Sequence, residues 1–125
     1  MASRRPTVSL DSTIVSALFY RGQDVACLAR QLSTRDWWER ERRHFKIYCS
    51  AVTEDELSLG HYPWKEKVLA LVERLPLLPY TREVGLFAKE LLREKIVAAG
   101  KEGDALQQAY PTVHGLDYLL TWNYA

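Results

Sequence analysis

Runs of β-forming residues alternate along this chain with segments that have helical periodicity. Each run is short and is followed by a polar residue or a turn, which is typical of strands in a sheet. Parallel strands need a long return connection, usually a helix, so this alternation favours a parallel sheet covered by helices on both faces. The sequence therefore predicts an α/β fold of three layers. The predicted strands are Thr7–Leu10, Lys46–Ser50, Leu77–Tyr80 and Asp117–Trp122.

The segments between these strands place apolar residues three or four positions apart, which is the spacing of one face of a helix. In the second of these segments, Val25, Leu28 and Leu32 would form the apolar face. Pro111 is expected to shorten or kink the last helix, because proline lacks the N–H that a helix interior requires. The predicted helices run over residues 12–19, 24–43, 51–59, 64–74, 81–92 and 104–113.

The length of 125 residues indicates a single domain over residues 1–125. The formal net charge of +1 is too small for a protein that coats nucleic acid through charge alone. The two cysteines, Cys27 and Cys49, cannot build a disulfide framework. The sequence has neither a secretory signal at its start nor an apolar stretch long enough to span a membrane, so a cytoplasmic location is expected.

Oxygen-bearing side chains accompany the predicted strands at points far apart in the sequence. Asp11 comes directly after the first strand and Asn123 directly after the last. Glu56 lies in the helix after the second strand, and Asp104 begins the helix that leads to the last one. Ligands of open parallel sheets bind beyond the carboxyl ends of the strands. We therefore expect these side chains to meet at one end of the sheet.

A cluster of carboxylates is costly to assemble unless cations neutralise it, and oxygen ligands prefer Mg²⁺ or Mn²⁺ to zinc. A pair of such ions can activate water and stabilise the leaving oxygen when a phosphodiester is hydrolysed. The sequence offers no rival catalytic set, because His44, His61 and His114 have no evident nucleophile beside them. The pattern therefore indicates metal-dependent hydrolysis of a nucleic acid.

Four motifs, in order along nearly the whole chain, resemble those of PIN domains, most of all the VapC-like toxins of type II toxin–antitoxin systems. In the second motif, Glu56 is the glutamate that precedes the aliphatic residue. Two features depart from the family, since Gln107 stands where many relatives have histidine and Asn123 stands at the fourth acidic position. The motifs are Leu10–Val15, Ser50–Leu57, Gly103–Leu106 and Asp117–Asn123.

The resemblance implies a PIN-like fold of three layers with a central parallel sheet of four or five strands. It implies an endoribonuclease that depends on Mg²⁺ or Mn²⁺ and hydrolyses RNA as the toxin of a toxin–antitoxin pair, with a small antitoxin and a second copy of the chain as partners. Relatives usually continue through another helix and strand beyond the point that corresponds to Ala125. We therefore expect either the full sheet or one that lacks the C-terminal element of the family.

The resemblance also implies roles for individual residues. Three acids would be catalytic metal ligands, one amide would be a fourth ligand, and three hydroxyls would support the site. The three acids are Asp11, Glu56 and Asp104, the amide is that of Asn123, and the three hydroxyls are those of Ser12, Thr13 and Thr121.

Simpler roles remain open for these residues. Asp11 and Asp104 could cap the helices that begin beside them, since aspartate is a common cap. Glu56 has two acidic neighbours, Glu54 and Asp55, on what could be a solvated helix face. The hydroxyl residues could likewise serve only as caps or as strand formers.

Two alternatives to a ribonuclease are also open. The chain could be a truncated or catalytically decayed PIN domain that only binds a protein or RNA, or its metal site could act on DNA. In addition, the segment Arg35–Lys46 mixes arginines with Trp37 and Trp38. That combination suits single-stranded RNA, but tryptophans at helical spacing more often act as anchors in a core or interface.

Overall fold

The computed structural model describes residues 4–123. Within that range, no helix combines the length and the hydrophobicity that a membrane span requires. In chain order, the elements of the described residues are β1 (Thr7–Leu10), α1 (Ser12–Phe19), α2 (Val25–Glu41), a 3₁₀ turn (Arg42–His44), β2 (Lys46–Ser50), α3 (Ala51–Ser58), α4 (Lys65–Arg74), β3 (Leu77–Leu78), α5 (Arg82–Arg93), α6 (Glu102–Val113) and β4 (Tyr118–Leu120).

The strands of the described residues form one four-stranded parallel sheet in the order β3-β2-β1-β4. In its centre, Leu10 of β1 lies beside Cys49 of β2 and Leu120 of β4. Every residue of β1 is buried, as expected of a strand that helices cover on both faces. The predicted α/β fold of three layers is therefore confirmed. The prediction about an element beyond Ala125 concerns a part of the chain outside the described residues.

Two hydrophobic clusters fix the helices to the sheet. The first joins Leu10 of the sheet to Val15 of α1 and Val68 of α4. It also contains Cys49, a free thiol whose burial raises its pKa to about 12. The second cluster packs α5 and α6 together and includes Tyr110. The helices that carry polar residues to the end of the sheet are thus anchored by apolar contacts.

The ends of several elements differ from the predicted ones. β3 stops before Pro79, which has no N–H for a strand ladder, and it is an edge strand. β4 is also shorter than predicted. α6 begins at Glu102, before Asp104, and continues past Pro111 to Val113. Pro111 lies only two residues before the end of the helix, so the hydrogen bond that it cannot donate is lost near the helix end and not in the middle.

The predicted apolar face of α2 is wrong. Val25 is 81% exposed and Leu32 is 72% exposed, whereas Thr34 is buried. The helix approaches α1 through polar contacts instead: Gln31 Nε2 donates to the carbonyl of Leu18 at 3.4 Å. Helical spacing of apolar residues showed that the segment is a helix, but it did not identify the buried side.

Trp37 and Trp38, at the other end of α2, pack against the first hydrophobic cluster. The guanidinium carbon of Arg42 lies 5.6 Å from the ring centroid of Trp38, and Arg40 pairs with Asp36 at 3.0 Å on the surface. These contacts agree with the simpler interpretation of this segment, in which the tryptophans are anchors and the arginines form a solvated face.

Candidate functional site

The candidate site lies where the strand order of the sheet changes direction. β2 and β3 lie on one side of β1 and β4 lies on the other, which leaves a crevice beyond the carboxyl ends of β1 and β4. Asp11 follows β1 directly, whereas Thr121 and Asn123 follow β4. Glu56 approaches from α3 and Asp104 from the first turn of α6. The topology brings these side chains to one end of the sheet from distant parts of the chain.

Asp11 is only 4% exposed, and both of its carboxylate oxygens accept hydrogen bonds. Oδ1 accepts the backbone N–H groups of Thr13 (3.0 Å) and Ile14 (3.2 Å) and the hydroxyl of Thr13 (2.5 Å). Oδ2 accepts the hydroxyl of Thr121. Asp11 is therefore the N-cap of α1 through one oxygen and is bonded to the segment after β4 through the other.

Thr13 and Thr121 fix this carboxylate in a second way. The hydroxyl oxygen of Thr13 accepts the backbone N–H of Trp122 at 2.9 Å, and that of Thr121 accepts the N–H of Asn123 at 2.9 Å. Each threonine thus joins Asp11 to the backbone that follows β4. The carboxylate is held at a defined position between α1 and β4.

Asp104 is paired with Asn123 at the rim of the crevice. The side-chain Nδ2 of Asn123 donates to Oδ1 of Asp104 at 3.0 Å. The N-cap of α6 is Lys101, so the interpretation of Asp104 as a helix cap is wrong. The two residues line a small cleft of about 300 Å³ that also includes Asp11, Gln107 and Thr121. Asp11 and Asp104 therefore share one cleft.

Glu56 is held from the side of α6. Gln107 Nε2 donates to its Oε1, and the Oε1 of Gln107 accepts the hydroxyl of Thr53 at 3.0 Å. Partial burial raises the pKa of Glu56, and the negative charges of Asp11 and Asp104 raise it further, while hydrogen bonds with Gln107 and Ser12 oppose the shift.

The resulting constellation has the chemistry of a site for a hard cation. Carboxylate, amide and hydroxyl oxygens are the donors that Mg²⁺ and Mn²⁺ accept, and Mg²⁺ usually binds through one or two carboxylates and several waters. Among residues 4–123, no three His, Cys, Asp or Glu side chains lie close enough together to hold a metal ion by themselves. Any cation bound here would therefore take part of its coordination from water.

Two members of this network, Gln107 and Thr53, were not predicted as site residues. Gln107 is 7% exposed and connects Thr53 and Glu56 of α3 to α6. Its spacing from Asp104, three residues along the same helix, was the available signal, because side chains at that spacing share a helix face. Thr53 is likewise three residues before Glu56.

The fold resembles that of three solved structures. VapC20 of Mycobacterium tuberculosis, a toxin that cleaves the sarcin–ricin loop, has a TM-score of 0.73 and 15% identity, covering 94% of this chain and 90% of that one. VapBC2 of Rickettsia felis, bound to a DNA fragment from its promoter, has a TM-score of 0.65 and 16% identity, covering 94% and 88%. FitAB bound to the IR36 DNA fragment has a TM-score of 0.58 and 15% identity, covering 89% and 82%.

Sequence comparison adds no relative to these structures. No family model matches the chain, and no curated protein matches it. At such low identity the likeness concerns the fold. The chain has a VapC-like PIN fold, as the four sequence motifs predicted.

Proposed function

We propose that the chain is an endoribonuclease that depends on Mg²⁺ or Mn²⁺ and hydrolyses RNA phosphodiester bonds. The proposal rests on one observation: Asp11 and Asp104, from distant parts of the chain, line one cleft, and Gln107 of the same cleft donates a hydrogen bond to Glu56. A local excess of carboxylates favours a cation at that point. The description of VapC20 as a toxin that cleaves the sarcin–ricin loop supports RNA as the substrate.

In this proposal, Asp11, Glu56 and Asp104 hold the ion, and Asn123 is a neutral fourth ligand or orients Asp104. A bound divalent cation would supply an activated water as nucleophile and would stabilise the charge on the leaving oxygen. The protein contributes orientation: Thr13 and Thr121 fix Asp11. Such supporting hydrogen bonds keep metal ligands in a productive geometry.

Residues around Glu56 of α3 and at the start of α1 support the proposed site in other ways. Gln107 donates to one oxygen of Glu56 and so orients this carboxylate relative to α6. Ser12 and Thr13 begin α1, where the backbone N–H groups of Thr13 and Ile14 already donate to Asp11. The first turn of α1 therefore holds a proposed metal ligand in place.

We further propose that the chain is the toxin of a toxin–antitoxin pair in the cytoplasm, with a small antitoxin and a second copy of itself as partners. VapBC2 and FitAB, both similar in fold, are structures with DNA bound. They support an antitoxin partner for a chain with this architecture. Co-expression of this chain with the product of a small adjacent gene, followed by co-purification and mass measurement, tests the pairing and the stoichiometry.

A second candidate function is a binding module without catalysis. It is favoured by the absence, among residues 4–123, of three potential ligands close enough to hold a metal ion alone. It is also favoured by Asn123, which presents an N–H donor to Asp104. Calorimetric titration with Mn²⁺ distinguishes the two functions, since saturable binding that is lost in Asp104→Asn supports the nuclease and no binding supports the module.

The deciding experiment is cleavage of a structured RNA by the purified chain with Mg²⁺, with Mn²⁺ or with excess chelator. We expect cleavage with either metal ion, none with chelator and none from Asp11→Asn. A structured DNA of the same sequence is included, because a carboxylate–metal site does not by itself select the sugar. Cleavage of RNA that persists in excess chelator would rule out the proposed mechanism.

A further inference from the structure

A second cleft, of about 520 Å³, opens directly beside the candidate metal site. It lies between α1, α2 and the segment before α4. Thr13 and Glu56 of its lining are hydrogen-bonded to Asp11 and Gln107 of the smaller cleft, so the two clefts are neighbours. A volume of this size is in the range of sites for small organic groups, such as a nucleobase with its sugar.

Aromatic rings form one side of this cleft. Trp64 lies edge-to-face with Tyr20 (centroids 5.0 Å apart) and with Tyr62 (5.3 Å). Trp64 Nε1 donates to the hydroxyl of Ser16 at 3.1 Å, and the hydroxyl of Tyr62 donates to the carbonyl of Leu57 at 2.6 Å. The polar groups of both rings are therefore engaged within the protein. The wall is fixed in position, and what it presents to the cleft is aromatic surface.

A cation and a further aromatic ring also line the cleft. The guanidinium carbon of Arg30, an exposed residue of α2, lies 5.8 Å from the ring centroid of Trp122, which also lines the cleft. Trp122 Nε1 donates to the hydroxyl of Thr34 at 2.8 Å, which fixes the indole. An arginine beside aromatic rings matches the two parts of a nucleotide, a negative phosphate and a flat base.

We propose that this cleft binds one unpaired nucleobase of the RNA substrate, next to the phosphate at the metal site. The inference rests on the proposed nuclease function and assigns a specificity-determining subsite to it. The base would stack among Tyr62, Trp64 and Trp122, and Arg30 would contact the adjoining phosphate. Recognition of single-stranded RNA uses unstacked bases on aromatic and arginine surfaces, which is the set of groups that this cleft provides.

The test measures binding of a short single-stranded oligoribonucleotide that contains all four bases, by fluorescence anisotropy in excess chelator. Two variants remove the proposed contacts: Tyr62→Leu removes a ring and Arg30→Met removes a cation from an exposed side chain. Their matched controls are Tyr118→Leu, at the opposite end of the sheet, and Arg43→Met, in the 3₁₀ turn. We expect about tenfold weaker binding for each cleft variant and unchanged binding for both controls.

A second arm replaces one nucleotide at a time by an abasic one. We expect one position at which the wild-type protein loses about tenfold in affinity and at which Tyr62→Leu loses little more, because the same contact has already been removed. The assignment is overturned if no abasic position lowers the affinity of the wild-type protein, or if both proteins lose affinity equally. A side chain of a partner protein would then be the occupant of the cleft. Absence of measurable binding by the wild-type protein would overturn it as well.

The outcomes separate this inference from the proposed function. Binding in chelator does not depend on cleavage, so a chain that binds through the cleft but cleaves nothing retains the subsite and loses the nuclease. A chain that cleaves RNA with Mg²⁺, while both cleft variants bind and cleave as the wild type does, retains the nuclease and loses the subsite.

Discussion

The pair of strands β1 and β4 has an aspartate bonded to a threonine at each of its ends. At the amino end, the backbone N–H and the hydroxyl of Thr7 donate to Oδ2 of Asp117, at 2.8 and 3.1 Å, and the N–H of Asp117 donates back to that hydroxyl at 2.9 Å. At the carboxyl end, Thr13 and Thr121 donate to Asp11. The same two residue types thus join the same two strands twice.

The two ends differ in their surrounding charge. Asp117 is exposed, and hydrogen bonds from Thr7 hold its pKa below the ordinary value, with help from the cation of Arg4. At the other end, Asp11 is buried near Glu56, whose pKa is raised by burial and by neighbouring acids. An aspartate–threonine pair is therefore, by itself, a hydrogen-bonded link between two strands. Where further acids lie around it, it becomes part of a candidate metal site.

The sharpest test of this comparison replaces each aspartate by asparagine and measures RNA cleavage with Mg²⁺. Asp11→Asn is expected to lower cleavage by at least about 100-fold, because it removes a proposed metal ligand, and such a loss exceeds that caused by supporting residues. Asp117→Asn is the matched control and is expected to leave the cleavage rate unchanged. If both variants lose cleavage equally, the hydrogen-bonded link between the strands, and not a metal ion, explains the effect of Asp11→Asn.

A smaller effect is expected when the support of Glu56 is removed. Gln107→Leu deletes the side-chain donor to Glu56 at nearly constant volume, and we expect cleavage to fall by about 10- to 100-fold, as for other residues that orient a metal ligand. In this variant the Thr53 hydroxyl loses its acceptor and keeps only the donor Ser50 Oγ at 3.2 Å, so some stability should also be lost, and thermal unfolding is measured beside cleavage. The control is Gln23→Leu, an exposed glutamine before α2, for which no change in cleavage is expected.

Metal ions should also distinguish the two ends through stability. If Mn²⁺ binds only the folded chain, it adds about 2.7 kcal/mol to the unfolding free energy at a concentration 100 times the dissociation constant. We expect this gain in the wild-type chain and in Asp117→Asn, and its loss in Asp11→Asn, when thermal unfolding is followed by circular dichroism. A gain that is the same in all three proteins would locate the metal elsewhere.

Much of this architecture was predictable from sequence because it depends on local patterns. The central strands were predicted with their observed bounds, since β1 and β2 are short runs of β-formers that end before or at a helix cap, Asp11 and Ser50 respectively. The exposed face of α2 was not predictable in the same way. Val25 and Leu32 have the spacing of a buried face, and only the position of α2 on the surface decides that they are exposed.

The sequence predicted at which end of the sheet the candidate site lies, but it did not predict the hydrogen bonds between its side chains. Asp11 follows β1 directly and Asn123 directly follows the predicted last strand, so the topology rule placed them at one end of the sheet. The bond from Gln107 to Glu56 and the bond from Asn123 to Asp104 join residues far apart in sequence. Such contacts depend on how helices pack and on side-chain rotamers, which no local pattern in a single sequence specifies.

The smallest expected effect is on stability, and it concerns the pH dependence of the hydrogen-bonded link between Thr7 and Asp117 at the amino end. Because the pKa of Asp117 in the folded chain lies below the usual aspartate value of about 3.8, its ionised form stabilises the fold above that value, and the contribution is lost as the pH falls through the folded pKa. Asp117→Asn should therefore lower the unfolding free energy slightly at neutral pH and by progressively less as the pH is lowered into the acid range, as measured by urea denaturation. Thr7→Val should reproduce this pH dependence, since Thr7 is the donor, and the two substitutions together should cost less than the sum of their separate effects. If the difference in unfolding free energy between wild type and Asp117→Asn stays constant as the pH is lowered, the ionised carboxylate does not join the two strands at that end. The two ends of the strand pair would then share residue types but not the same interaction.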